Sequence, residues 1–239
     1  MGLSTNDRSM DILKSFTENA AHAGTLDNTL EVVLSVPIHW SAKSRERYCK
    51  AANESGFDVL QVLTEPSAAL LANDVGADLN ESSNVLVVRL GGLSSDITVF
   101  SVTNGMYAVV DNLHLPHLGG NVLTKTLSDY LAQEFFNKYK LDPRESRRTM
   151  VKLQQHAETC KHVLSTMPSA HVFIESLMDG LDWSQNISRA RFENVIQPKI
   201  ASFVRPIEEV VNKHSITIEK VRAPLHLLAL LPPPSSTIR

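Results

Sequence analysis

What the chain has little of narrows it first. It carries two cysteines, Cys49 and Cys160, far apart and outside any metal-ligand spacing. A disulfide framework and a thiolate zinc site are both excluded as organising devices, and reduced thiols are expected. The nine histidines lack the i, i+4 pairing or the cysteine partners of a zinc site. No charge sign dominates: 23 Lys and Arg against 26 Asp and Glu leave a net charge of −3. That balance gives neither nucleic acid nor an anionic membrane a reason to bind directly. The cluster Arg144 to Arg148 encloses Glu145 and reads as a solvated helix face. No apolar run approaches the ~18 residues of a spanning helix, and the N-terminus lacks the basic-then-apolar order of a secretory signal. The expectation is a cytosolic chain with no membrane segment.

What is present is an ordinary globular composition. A hydrophobic fraction of 43 % over 239 residues can fill one large domain or two lobes. Residues Asp11 to Ala23 place Ile12, Leu13, Phe16 and Ala20 at helical spacing. Glu31 to Val36 reads as a buried strand ended by Pro37, which cannot donate to a sheet ladder. A polar helix over Ser41 to Ser55, a strand over Phe57 to Leu63, and a helix start at Thr64-Glu-Pro-Ser-Ala-Ala-Leu-Leu71 follow, with Pro66 in the first turn. Helices are expected over Asn121 to Tyr139, Arg147 to Leu164 and Arg189 to Lys213. In the last, Pro198 and Pro206 suggest a break or kink. Met178-Asp179-Gly180 joins the strands Ala170 to Ser176 and Asp182 to Ser188 as a hairpin.

The most informative stretch is Asn84 to Phe100, NVLVVRLGGLSSDITVF. Val85 to Val88 is a continuous, β-branched-rich apolar run, the pattern of a strand buried on both faces. Gly91-Gly92 then makes a turn with no Cβ to keep an anion from the backbone N–H groups. Ser94 and Ser95 add hydroxyls, and Asp96 starts the return strand Ile97 to Val102. Alone, this is an ordinary β-hairpin with a glycine turn.

In company it is more specific. Val36-Pro37, Thr64-Glu-Pro-Ser-Ala-Ala69, Leu90-Gly-Gly92, His117-Leu-Gly-Gly120 and Ser188-Arg-Ala-Arg-Phe-Glu193, in that order, resemble the nucleotide-binding domain of the Hsp70 chaperones from about Asn28 to Val221. The likeness is strongest to an atypical, ribosome-associated branch that also carries a basic residue before Leu-Gly-Gly. The resemblance implies an α/β chain of actin-like ATPase fold. It divides the chain into a partial first lobe (residues 1–82), a largely complete second lobe (83–221, with an inserted region about 119–187) and an atypical proline-rich tail (222–239). In that family a longer first lobe, with its own phosphate hairpin, precedes Glu31, and a further Gly-Gly-Ser loop follows Val221. Both are expected to be missing here, and the tail reads as an altered reading frame, alternative exon or intron read-through.

The site follows residue by residue from the same resemblance. Gly91, Gly92 and Ser94 match the second-lobe phosphate hairpin, with Leu93 in place of a third glycine. Gly119 and Gly120 match a further turn near the nucleotide. Glu158, Lys161 and Ser165 match adenosine contacts, and His162 stands where an arginine packs on the purine. Glu158 and Lys161 equally read as an i, i+3 surface ion pair, and Gly119-Gly120 as a plain helix-preceding turn. Glu65 is the nearest match to a catalytic carboxylate and equally a helix N-terminal acid; Pro37 matches an interdomain coupling position but reads more simply as a strand stop. The implied cofactor is ATP or ADP. Magnesium is disfavoured, because Arg89 replaces the carboxylate expected beside it. No intact catalytic set and no metal ligand are expected, so ATP hydrolysis should be negligible. The implied function is that of an ATP-binding fragment of a chaperone assisting nascent-chain folding and the stress response. Its implied partners are a J-domain co-chaperone, a nucleotide-exchange factor and the ribosome. The alternative is a non-catalytic regulatory fragment that binds co-chaperones.

Overall fold

A computed structural model of the chain describes residues 30–75 and 83–216. The expected helix over Asp11 to Ala23 and the tail 222–239 lie outside the described residues. Element order is β1 (Leu30–Val36), α1 (Ala42–Glu54), β2 (Phe57–Thr64), α2 (Glu65–Ala72), β3 (Ser83–Leu90), β4 (Ser95–Thr103), β5 (Met106–Leu115), α3 (Gly120–Tyr139), a 3₁₀ turn (Pro143–Glu145), α4 (Arg147–Thr166), β6 (Ser169–Met178), β7 (Leu181–Ser188) and α5 (Arg189–Lys213). Four helices begin on hydroxyl caps. Ser41, Thr64, Ser146 and Ser188 accept the N–H of Ser44, Ser67, Thr149 and Arg191, at 3.2, 3.4, 3.3 and 3.2 Å. Each satisfies a donor that helix geometry leaves orphaned.

Contacts group the chain into two units, residues 1–87 with 98–112, and 88–97 with 113–239. In the first, β1 and β2 pair in parallel from Leu30–Phe57 to Val36–Thr64, with a register shift after Val32. Helix α1 provides the crossover that a parallel pair requires. Of β1 only Val36 is fully buried, while Val33 is 54 % and Leu60 of β2 is 59 % exposed. This corrects the expectation of a buried strand: each strand here covers one face with partners and leaves the other open. A small core joins Leu70, Phe100 and Val102 to Val75, Val85, Val87 and Tyr107. The Tyr107 hydroxyl donates to the Val75 carbonyl at 2.7 Å.

The three-stranded sheet has the order β3-β4-β5. The strand buried on both faces is therefore β4, whose Ser95 to Phe100 are all buried, and not β3, whose residues are only partly covered. A central strand has neighbours on both sides, and β3 sits at the edge of this sheet. Its apolar run reflects a half-covered strand instead.

In the second unit, α3 and α4 pack against the β6–β7 hairpin. Leu127, Leu131 and Phe135 of α3 meet Leu153, Ala157, Cys160 and Leu164 of α4, Val172 and Ile174 of β6, and Trp183 and Ile187 of β7. Phe135 and Trp183 meet edge-on at 6.2 Å, a favoured aromatic geometry. The hairpin turn has positive φ at Asp179 (50°) and Gly180 (75°), the requirement of a type I′ turn. Helix α5 continues from Arg189 through both Pro198 and Pro206 to Lys213. The expected break does not occur: each proline deletes one N–H from the ladder, but the helix carries through.

Candidate functional site

The site grows from the turn between β3 and β4. The Gly91 N–H donates to the Ser94 carbonyl at 2.8 Å and closes the turn. The turn's own carbonyls then take the first donors of α3: Gly120 N–H reaches Gly91 O at 2.9 Å, and Asn121 N–H reaches Gly92 O at 2.8 Å. Glycine at 119 is dictated by this approach. A Cβ there would lie 2.6 Å from the Leu93 carbonyl carbon and 2.7 Å from Gly92 C and O. Backbone φ plays no part, since −156° is ordinary extended chain. At Gly91 a Cβ would meet Ser94 O at 2.7 Å. The Ser95 hydroxyl, read from sequence as a further ligand donor, instead ties the turn to Leu118 O at 2.5 Å. With the turn's carbonyls facing the helix, the N–H groups of Gly92, Leu93 and Ser94 have no acceptor among the described residues. Gly92 and Leu93 are exposed. A row of backbone donors with glycine-sized clearance is anion-binding chemistry.

Two of the expected residues of α4, Glu158 and Lys161, close on the same helix end. Lys161 is 3 % exposed. Its Nζ donates to Gly120 O at 3.4 Å, Thr124 Oγ1 at 2.9 Å, and Glu158 Oε1 and Oε2 at 3.0 and 2.9 Å. Glu158 also accepts from the Thr124 hydroxyl and engages His162 Nε2 at 2.7 Å. Burial by itself would raise the Glu158 pKa. The hydrogen bonds from Thr124, Lys161 and His162, with the Lys161 charge, outweigh it and hold the carboxyl down at about 2. The i, i+3 ion pair expected from sequence is present at 2.9 Å, with an exposed carboxylate but a buried lysine, so Lys161 is a brace between helices. Ser165 donates to His162 O of its own helix at 2.6 Å and engages nothing on α3.

A cleft of about 310 Å³ adjoins this junction, lined by Asn121, Thr124, Val151, Gln154, Gln155 and Glu158. Among the expected site residues only Glu158 lines it. Thr124 and Asn121 escaped the sequence reading. The available signal was a hydroxyl at i+4 from Gly120, inside the helix that the glycine pair introduces.

Beneath the turn lies a charged group the sequence showed only in part. Asp96 is 2 % exposed. Arg89 Nη1 reaches its Oδ2 at 3.2 Å, and His114 Nδ1 reaches its Oδ1 at 2.7 Å. A buried carboxylate requires such partners; sequence alone offered Asp96 merely as a strand start. A magnesium ion does not fit here. It demands oxygen donors in near-octahedral array, whereas both Asp96 oxygens are engaged and the adjoining side chain is a cation. Glu65, in the first unit, is the opening residue of α2 after the Thr64 cap, where the helix dipole favours a carboxylate.

A glycine hairpin seated on a Gly-Gly helix start, in an α/β chain of this element order, is the arrangement expected of a phosphate-handling domain of the actin-like ATPase class. The Hsp70 protein family profile matches residues 3–224. The chain belongs to the Hsp70 family, whose members bind ATP or ADP. Among named relatives, it is similar to heat shock 70 kDa protein 14 of Bos taurus, 38 % identical over 211 residues covering 88 % of this chain and 42 % of that one. The Homo sapiens protein of that name is 37 % identical over the same shares. That of Xenopus tropicalis is 39 % identical over 184 residues, 77 % of this chain and 36 % of that one. The chain thus spans about two fifths of the length of these relatives.

Proposed function

We propose that the chain is the nucleotide-binding part of an Hsp70-like chaperone and that it holds ATP or ADP without turning it over at a useful rate. The observation that carries this reading is the joint of turn, helix start and buried lysine. The open N–H groups of Gly92, Leu93 and Ser94 would meet phosphate oxygens. Gly119 and Gly120 let the helix close on the turn, and Lys161 with Glu158 fixes that closure from α4. The cleft beside Glu158 and Thr124, with Asn121, Gln154 and Gln155 on its wall, offers polar partners to the rest of the nucleotide; His162 and Ser165 would lie toward the adenosine. In this reading residues 1–82 contribute to a first lobe and 83–221 to a second. The protein works in the cytosol with a J-domain co-chaperone and a nucleotide-exchange factor on nascent chains at the ribosome.

One observation favours a second, non-hydrolytic role as a partner-binding regulator. Arg89 holds one oxygen of the Asp96 carboxylate, so the group best placed to organise a metal is already engaged. Losing such a stabilising group costs on the order of 3 kcal/mol in the transition state. Equilibrium dialysis with labelled ATP tests the first reading. Binding in the micromolar range supports nucleotide function; none at millimolar ATP contradicts it and leaves the partner-binding role.

A further inference from the structure

We infer that Arg89 supplies the positive charge that a divalent cation would otherwise bring to the phosphates, so that this chain binds nucleotide polyphosphate without metal. The inference rests on the nucleotide-binding reading above and extends it to the form of the ligand: free ADP or ATP, not its magnesium complex. Arg89 Nη1 lies 3.2 Å from the point where a Gly91 Cβ would stand, so the guanidinium lies against the turn itself. It is held there by Asp96 Oδ2 at 3.2 Å, and the Arg89 side chain remains 35 % exposed. Guanidinium forks bind phosphate oxygens with paired donors and stay charged at every working pH. Backbone N–H groups at Gly92, Leu93 and Ser94 add donors on the same turn. The converse also holds: His114 occupies the second Asp96 oxygen at 2.7 Å. A metal ion arriving with the nucleotide would meet a fixed cation and an engaged carboxylate.

The test is calorimetric titration of ADP into the full chain, once in EDTA and once in excess magnesium. The expected result is a dissociation constant in EDTA within about threefold of that in magnesium. Arg89→Gln should weaken ADP binding in EDTA about tenfold, the loss of a charge-assisted hydrogen bond, while Arg89→Lys should retain most of it. Circular dichroism of both variants checks that they fold, and the wild-type comparison stands even where a variant does not. Binding that appears only with magnesium would overturn the inference and leave the nucleotide reading intact. So would an Arg89→Gln chain that folds and binds as tightly as wild type. Absence of binding in both buffers would overturn both together.

Discussion

Glu158 answers to a neutral hydroxyl, a buried ammonium and an imidazole at once, and its stability contribution has a definite pH window. Its folded pKa is lowered to about 2 from an ordinary 4.5. The contribution is therefore complete above about 4.5 and is lost as pH falls from there toward 2. Because 45 % of the side chain is exposed, solvent screens the interaction, and about 1 kcal/mol is expected where the bare shift would suggest more. Urea unfolding of wild type and Glu158→Gln should differ by that amount at neutral pH, and the difference should shrink below about pH 4.5 and vanish only near pH 2. The glycines give a sharper contrast. Gly119→Ala drives a Cβ into the Gly92 and Leu93 backbone, which cannot swing aside, and should cost about 2 kcal/mol or more. Gly92→Ala meets nothing within 4 Å and should stay within about 0.5 kcal/mol. Denaturation midpoints of the two variants check the pair.

Helix α4 ties the site to the core, because Cys160 and Lys161 are adjacent and both buried. Burial pushes the Cys160 thiol up to about 11, so it is a protonated, covered group in the folded chain. Iodoacetamide should label the half-buried Cys49 in native protein and reach Cys160 only with unfolding; mass spectrometry of the two peptides separates them. Native labelling of Cys160 at the Cys49 rate would mean α4 is not seated as described. At this scale much was legible in sequence. The Glu-Pro helix start and the Asp179-Gly180 turn are local chemistry, and they sit where the residues put them. Burial was not local. Val85 to Val88 looked like an interior strand, yet strand order puts β4 in the middle, and no periodicity reports which strand gains two neighbours. Of the break or kink that Pro198 and Pro206 suggested, the break is absent: α5, packed against α3, α4 and β7, runs on through both.

Across the whole molecule the two units differ in how much they bury. The second has a continuous core from α3 through β7. The first gathers its cluster around Leu70, Phe100 and Val102 and leaves Val33 and Leu60 open. Hydrogen exchange should accordingly protect the amides of α3, α4 and β6 far longer than those of β1 and β2. Equal protection would contradict that ordering. The candidate site was half legible on this scale. Gly91, Gly92, Gly119 and Gly120 stood out as motifs, and Glu158 and Lys161 entered only through the family resemblance, since their spacing alone reads as an ion pair. Asp96, His114 and Thr124 did not, since each acquires its role from a partner on another element.

The central claim is that the Gly92 to Ser94 N–H groups receive a nucleotide's phosphates. Gly92→Asp tests it most directly, because the position has room for a side chain and the new carboxylate would stand where phosphate oxygens are expected. Calorimetric titration with ADP should show wild type binding in the micromolar range and a folded Gly92→Asp chain binding at least about tenfold more weakly, the penalty of like charge at a hydrogen-bonding site. Equal ADP affinity in the two folded chains would contradict the account.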